Sequence, residues 1–172
     1  MTVTLEVSVV SPLWRGLPRA RALARETIAA CAVEAGVALR ARAEVSLCLA
    51  DDERLRELNA RWRGVDKPTN VLSFPATAPK GMSEALALGD IALAYETTAR
   101  EAKAFGVQLA DHYRHLLAHG FLHLIGYDHE GDEEAQRMEA LETKILARLG
   151  VADPTRAKSL RNERNGRRRP RR

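Results

Sequence analysis

The chain is short of thiols. Its 172 residues include two cysteines, Cys31 and Cys48, neither in a Cys-x-x-Cys pair nor near the histidines at 112–129. That argues against a thiolate zinc finger and favours two buried, reduced thiols over a disulfide or a metal role. Long apolar runs are also missing: none approaches the roughly 18 residues a membrane helix needs, so no membrane partner is expected. The start, MTVTLEVSVV, lacks a basic segment followed by an apolar one, so no secretory signal is read there and a cytoplasmic location is expected. No internal repeat is found, which sets aside solenoid architectures.

Hydrophobic residues make up 45% and charged residues 29%, an ordinary balance for one globular domain of this length. The net charge of +4 is unevenly spread. Residues 153–172 hold nine Lys or Arg against two acids, a net +7, while the rest holds 18 bases and 21 acids, a net −3. The expectation is a single folded domain over 1–152 and a basic, disordered tail over 153–172.

Alternating β-branched residues predict strands over Val3–Val10 and Ala43–Ala50, a short one in NVLSFP ending at Pro75, and a fourth over Ala87–Ala94. Ser11-Pro12 reads as a turn. Helical spacing predicts helices over about Arg19–Ala35, from Asp51-Asp52 to Gly64 with a stripe of Leu55, Leu58 and Trp62, and over Glu96–Phe105 and Leu109–Ile125. A last one spans Asp132–Leu149 with Met138, Leu141, Ile145 and Leu149 spaced for burial. Glu130, Asp132, Glu133 and Glu134 would charge its start. The class is α/β (α+β): one sheet of about four strands flanked by about five helices.

The chemistry concentrates in HGFLHLIGYDH, His119 to His129. Residues four apart share a helix face, so His119 and His123 can aim at one point. Gly126 lets the chain turn back, so that His129 can supply a third ligand. Three nitrogens leave one tetrahedral position open, as in a catalytic zinc site; nickel, copper and iron remain alternatives. The frame is that of H-E-x-x-H-x-x-G-x-x-H, but the glutamate that serves a metallopeptidase as general base is replaced by Gly120. The absence removes peptidase chemistry and suggests open space beside the metal for a bulkier, anionic substrate. His112 and His115 extend the same helix. His115 either hydrogen-bonds near the site or is a partly buried helix histidine. Asp128 either orients the site and takes a proton, or is a solvated loop acid.

HGFLHLIGYDH, together with RGVDKPTNVLSFP at Arg63–Pro75 and LGDI at Leu88–Ile91, closely resembles the YbeY family of bacterial metal-dependent endoribonucleases. The likeness covers about residues 45–150 in order and spacing. It implies a mixed four-stranded sheet with helices around it, and zinc on His119, His123 and His129. It also implies a functional Arg63 near the metal cleft. The implied activity is zinc-dependent, single-strand-specific cleavage in ribosomal RNA processing, at the 3′ end of 16S ribosomal RNA, and in ribosome quality control. RNA and the ribosome or its small-subunit proteins would be the partners. The basic tail is an addition such a domain does not need.

Arginine pairs with phosphate through a fork of donors and stays charged, so Arg63 beside a metal suits a phosphodiester. Either water or the RNA 2′-hydroxyl is the nucleophile. Thr69, Asn70 and Ser73 either line the RNA groove or shape the turn into the strand. Arg167, Arg168 and Arg169 in the tail are candidate phosphate contacts of a salt-dependent arm. Two other readings compete: a non-catalytic, zinc-containing ribosome-assembly or RNA-binding factor, and a metallopeptidase-like hydrolase. The oligomeric state is not legible.

Overall fold

A computed structural model describes residues 3–36, 43–76, 87–128 and 131–152. The strands are β1 (Val3–Val9), β2 (Ala43–Ala50), β3 (Val71–Pro75) and β4 (Ala87–Ala94). The helices are α1 (Ala20–Glu34), α2 (Asp52–Arg63), α3 (Tyr95–Phe105), α4 (Leu109–Leu124) and α5 (Asp132–Arg148). The sheet runs β1-β2-β4-β3. β1 and β4 are parallel to β2, and β3 is an antiparallel edge strand on β4. The mixed four-stranded sheet and five helices of one α/β domain are as the sequence led us to expect.

Strand alternation decides which residues meet which layer. Val45, Leu47 and Leu49 of β2 and Ile91 and Leu93 of β4 join the main core with α1, α4 and α5. Their neighbours Ala50, Ala92 and Ala94 point the other way, where Leu55 of α2 and Leu72 of β3 complete a smaller core. Gly89 is required where β3 and β4 meet. Its φ is +139°, and a Cβ there would lie 2.2 Å from the Phe74 carbonyl oxygen.

α4 is the central helix. Tyr113, Leu117, Phe121, Leu122 and Leu124 are completely buried on it. The Tyr113 hydroxyl donates to the Ala20 carbonyl, tying α4 to the start of α1.

Four local expectations need correction. Ser11-Pro12 is more than a turn: Ser11 caps a 3-10 helix over Pro12–Gly16. That helix buries Trp14, whose ring N–H donates to the Ala50 carbonyl at 2.7 Å. The α2 stripe is buried only at Leu55, because Leu58 is half-buried and Trp62, in the last turn, is 62% exposed. In α5 the buried set is Met138, Glu142, Ile145 and Leu146, with Leu141 and Leu149 only partly covered. Both cysteines are free, but Cys31 is buried while Cys48 is only partly so. Burial pushes the Cys31 thiol well above its ordinary range.

Candidate metal centre

α4 carries four histidines, His112, His115, His119 and His123, on one side. At 100° per residue they form a stripe, while the next face of the helix rests on the sheet. Gly120 lies on that sheet-facing side and is buried. A Cβ there would come within 3.0 Å of the Ser73 hydroxyl, 3.2 Å of an Ile91 methyl and 3.3 Å of a Val71 methyl. The space expected beside the metal at Gly120 is therefore absent, because β3 and β4 fill it. The missing glutamate has a packing cause: Ser73, Ile91 and Val71 already crowd the space that a glutamate side chain at 120 would enter.

His119 and His123 meet. Their Nε2 atoms are 3.0 Å apart and their ring centroids 4.6 Å. Two nitrogens bound to one tetrahedral zinc at about 2.0–2.1 Å would lie roughly 3.3 Å apart, so the pair has the spacing of two ligands of one ion. The opposite nitrogens are already engaged. His119 Nδ1 lies 2.6 Å from Glu142 Oε1, and His123 Nδ1 lies 2.9 Å from the Tyr127 carbonyl oxygen. A carbonyl can only accept, so His123 carries its proton on Nδ1; a carboxylate imposes the same on His119. Both Nε2 lone pairs then converge on one point, as metal ligation requires. Among the described residues, no group of three or more His, Cys, Asp or Glu gathers as a metal cage. The expected third ligand, His129, lies outside the described residues, as does Glu130.

Glu142 was not read from the sequence, although a signal existed. It stands on the apolar stripe of α5, four residues after Met138 and three before Ile145, where an acid must be paired to be tolerated. It is 9% exposed. Besides His119 it holds His115, whose Nε2 lies 3.3 Å from Oε2. Burial pushes its carboxyl pKa up, but the hydrogen bonds and charges of His115 and His119 outweigh that and bring it down to about 2. His115 meets both of its readings: it is a partly buried helix histidine, and it contacts Glu142 beside the site.

The loop of the second motif is bolted to the body. Asp66 receives a forked pair of bonds from Arg56 at 2.7 and 3.2 Å. Asn59 Nδ2 donates to the Lys67 carbonyl at 2.8 Å. Asn70 donates to Glu101, whose carboxylate lies 2.7 Å from His112 Nε2, so a continuous contact runs from this loop to the histidine stripe. Asn70 Oδ1 also accepts from the Val71 N–H at 2.7 Å. Ser73 is buried, and its hydroxyl donates to the Gly120 carbonyl at 3.1 Å. Both therefore brace β3 and α4, while Thr69 is half-exposed. Arg63 is exposed at the end of α2 and, among the described residues, its guanidinium has no hydrogen-bond or ion-pair partner. Asp128 is exposed immediately after the carbonyl that holds His123. Arg167, Arg168 and Arg169 lie outside the described residues.

The family profile described as Endoribonuclease YbeY matches residues 17–150. The chain is 47% identical over 154 residues to the protein of that name from Methylocella silvestris, covering 90% of this chain and 86% of the relative. It is 53% identical over 155 residues to the one from Bradyrhizobium diazoefficiens, covering 87% and 83%. Its fold is similar to the solution structure of TM1509 from Thermotoga maritima, with a TM-score of 0.50, 23% identity, and 87% and 91% of the two chains covered. With a profile spanning most of the chain and relatives near half identity over nearly their whole lengths, this chain belongs to the YbeY family.

Proposed function

We propose that this chain is a zinc-dependent endoribonuclease that cleaves single-stranded ribosomal RNA during maturation and quality control of the ribosome. The observation that carries the proposal is the convergence of His119 and His123 Nε2 at 3.0 Å with both Nδ1 atoms held from behind. The family name Endoribonuclease YbeY and its relatives support the RNA-cleaving chemistry. His119, His123 and His129 would hold the metal. When bound there, zinc supplies Lewis-acid stabilisation of charge developing on a phosphate oxygen.

The chain's own residues do the rest. Glu142 and the Tyr127 carbonyl orient the two imidazoles. Arg63 presents a rigid fork of donors to a phosphate and stays charged at every working pH. Asp128, an exposed acceptor next to Tyr127, is the candidate to take the nucleophile's proton. Asn70, through Glu101 and His112, and Ser73, through the Gly120 carbonyl, position the loop and strand that border the site. Residues 1–152 form the catalytic unit in this reading, and Arg167, Arg168 and Arg169 of the tail contact RNA phosphates in the cytoplasm.

The test is cleavage of a single-stranded ribosomal RNA fragment by highly purified protein against His119→Ala and His123→Ala. The expected result is loss of cleavage in both. Equal specific activity in both variants marks a contaminating nuclease and leaves a non-catalytic assembly factor as the reading. Product ends identify the nucleophile: a 2′,3′-cyclic phosphate requires attack by the RNA 2′-hydroxyl, and a directly formed 5′-phosphate excludes it. Arg63→Ala is expected to bind metal normally and cut poorly.

A further inference from the structure

The second face of the sheet has no role in the chemistry above. α2 packs against it, and between α2 and the strands lies a cleft of about 430 Å³. Its lining is mostly apolar, with Cys48, Leu58, Trp62, Phe74 and Ala92, and Asp90 supplies acceptor oxygens. Trp62 stands at its edge, 62% exposed, with its ring 6.2 Å from Phe74 and the Arg61 guanidinium 5.4 Å from its centroid. An exposed indole continuous with a mostly apolar cleft marks a surface for a ligand or partner.

The charges around Trp62 say which kind. Arg61 and Arg63 flank it in sequence and Lys67 follows in the loop; all three are exposed, and among the described residues no acid pairs with them. The one acid of the loop, Asp66, is neutralised by Arg56. A mostly apolar cleft edged by a flat π-face, with three cations nearby in sequence that no described acid pairs, fits a chain of planar bases on a polyanionic backbone. An acidic peptide offers such faces only where it carries an aromatic residue, whereas every nucleotide carries a planar base.

We propose that Trp62 is a base-stacking platform for single-stranded RNA, with Arg61 and Lys67 tracking the phosphates next to the one that Arg63 takes. The proposal rests on the endoribonuclease reading and deepens it. Trp62 and Arg63 are consecutive, and residues 64–70 lead from them into the edge strand β3. Val71 and Ser73 of that strand touch α4 at Gly120, one residue from His119. A strand stacked on Trp62 and crossing this edge would run from the cleft on one face of the sheet to the histidine pair on the other. Duplex RNA has no free base faces to offer, so the platform selects single strands.

Fluorescence tests this directly, because the chain has two tryptophans and Trp14 is only 3% exposed. The full chain, loaded with zinc, is mixed in stopped flow with a short single-stranded oligoribonucleotide, so that quenching is read before turnover. Stacking quenches wild-type emission, and Trp62→Phe removes the quench while retaining binding. Trp62→Ala raises Kd and KM about tenfold, leaves kcat within about twofold, and melts at the wild-type temperature. Wild-type affinity in Trp62→Ala, in a protein whose parent cuts RNA, overturns the platform and leaves the endoribonuclease reading standing. So does an equal loss on duplex RNA, or unchanged RNA affinity with lost co-sedimentation on small ribosomal subunits, which reassigns the patch to a protein partner. A wild type that neither binds nor cuts RNA overturns both.

Discussion

Replacing Glu142 is the perturbation with the largest consequence away from the histidines themselves. Its carboxylate lies 2.6 Å from His119 Nδ1 and 3.3 Å from His115 Nε2, in a side chain only 11% exposed. In Glu142→Gln the amide retains the shape but offers a single acceptor and no charge. Loss of a carboxylate behind a metal-binding imidazole typically costs 10–100-fold in metal affinity, about 1.4–2.7 kcal/mol. We expect a drop within that range for Glu142→Gln and at its upper end for Glu142→Ala, read by competition with a chromophoric chelator. Nitrogen-15 spectra of the histidines should show His119 losing its pure Nε2-lone-pair tautomer. The metal-free protein adds a second readout. The folded pKa is depressed from the ordinary 4.5 to about 2, so the stabilisation is present above about pH 5 and is lost as pH falls toward 2. That shift corresponds to roughly 3 kcal/mol. The stability gap between metal-free wild type and Glu142→Gln should therefore shrink steadily over that window. A gap that stays constant with pH, together with unchanged zinc affinity, refutes the reasoning.

Gly120→Ala should cost about 1–3 kcal/mol in denaturant melts, because its methyl meets Ser73, Ile91 and Val71 at 3.0–3.3 Å. Gly120→Glu should fail to fold rather than gain peptidase activity, and a folded variant that cuts peptides would show the sheet can give way. Deleting residues 156–172 removes eight net positive charges and should flatten the salt dependence of RNA binding while leaving metal affinity untouched. An unchanged slope in a salt titration would show that the tail makes no phosphate contacts.

Several features were legible because they are local. The period-2 alternation of Ala43–Ala50 and Ala87–Ala94 marks them as strands, and burial follows it. Asp51, read as the start of the helix, caps α2 by accepting from the Arg54 N–H. Trp62 misled because spacing tells which residues share a helix face, not how far the opposing layer extends. At the end of α2 the ring it meets is Phe74.

By itself the sequence determined the order of strands and α-helices and the pairing of His119 with His123, since four residues of α-helix place two side chains on one face whatever surrounds them. It also determined the uneven charge, which is composition alone. Only the tertiary structure decided what stands behind and beside that pair. Glu142 arrives from 23 residues downstream and Ser73 from 47 upstream, through packing of α5 and β3 on α4. The same packing turned an apparent gap at Gly120 into a filled contact with the sheet. Contacts at such separations depend on which faces of three elements meet, and that is settled by the burial of the whole core rather than by any local spacing.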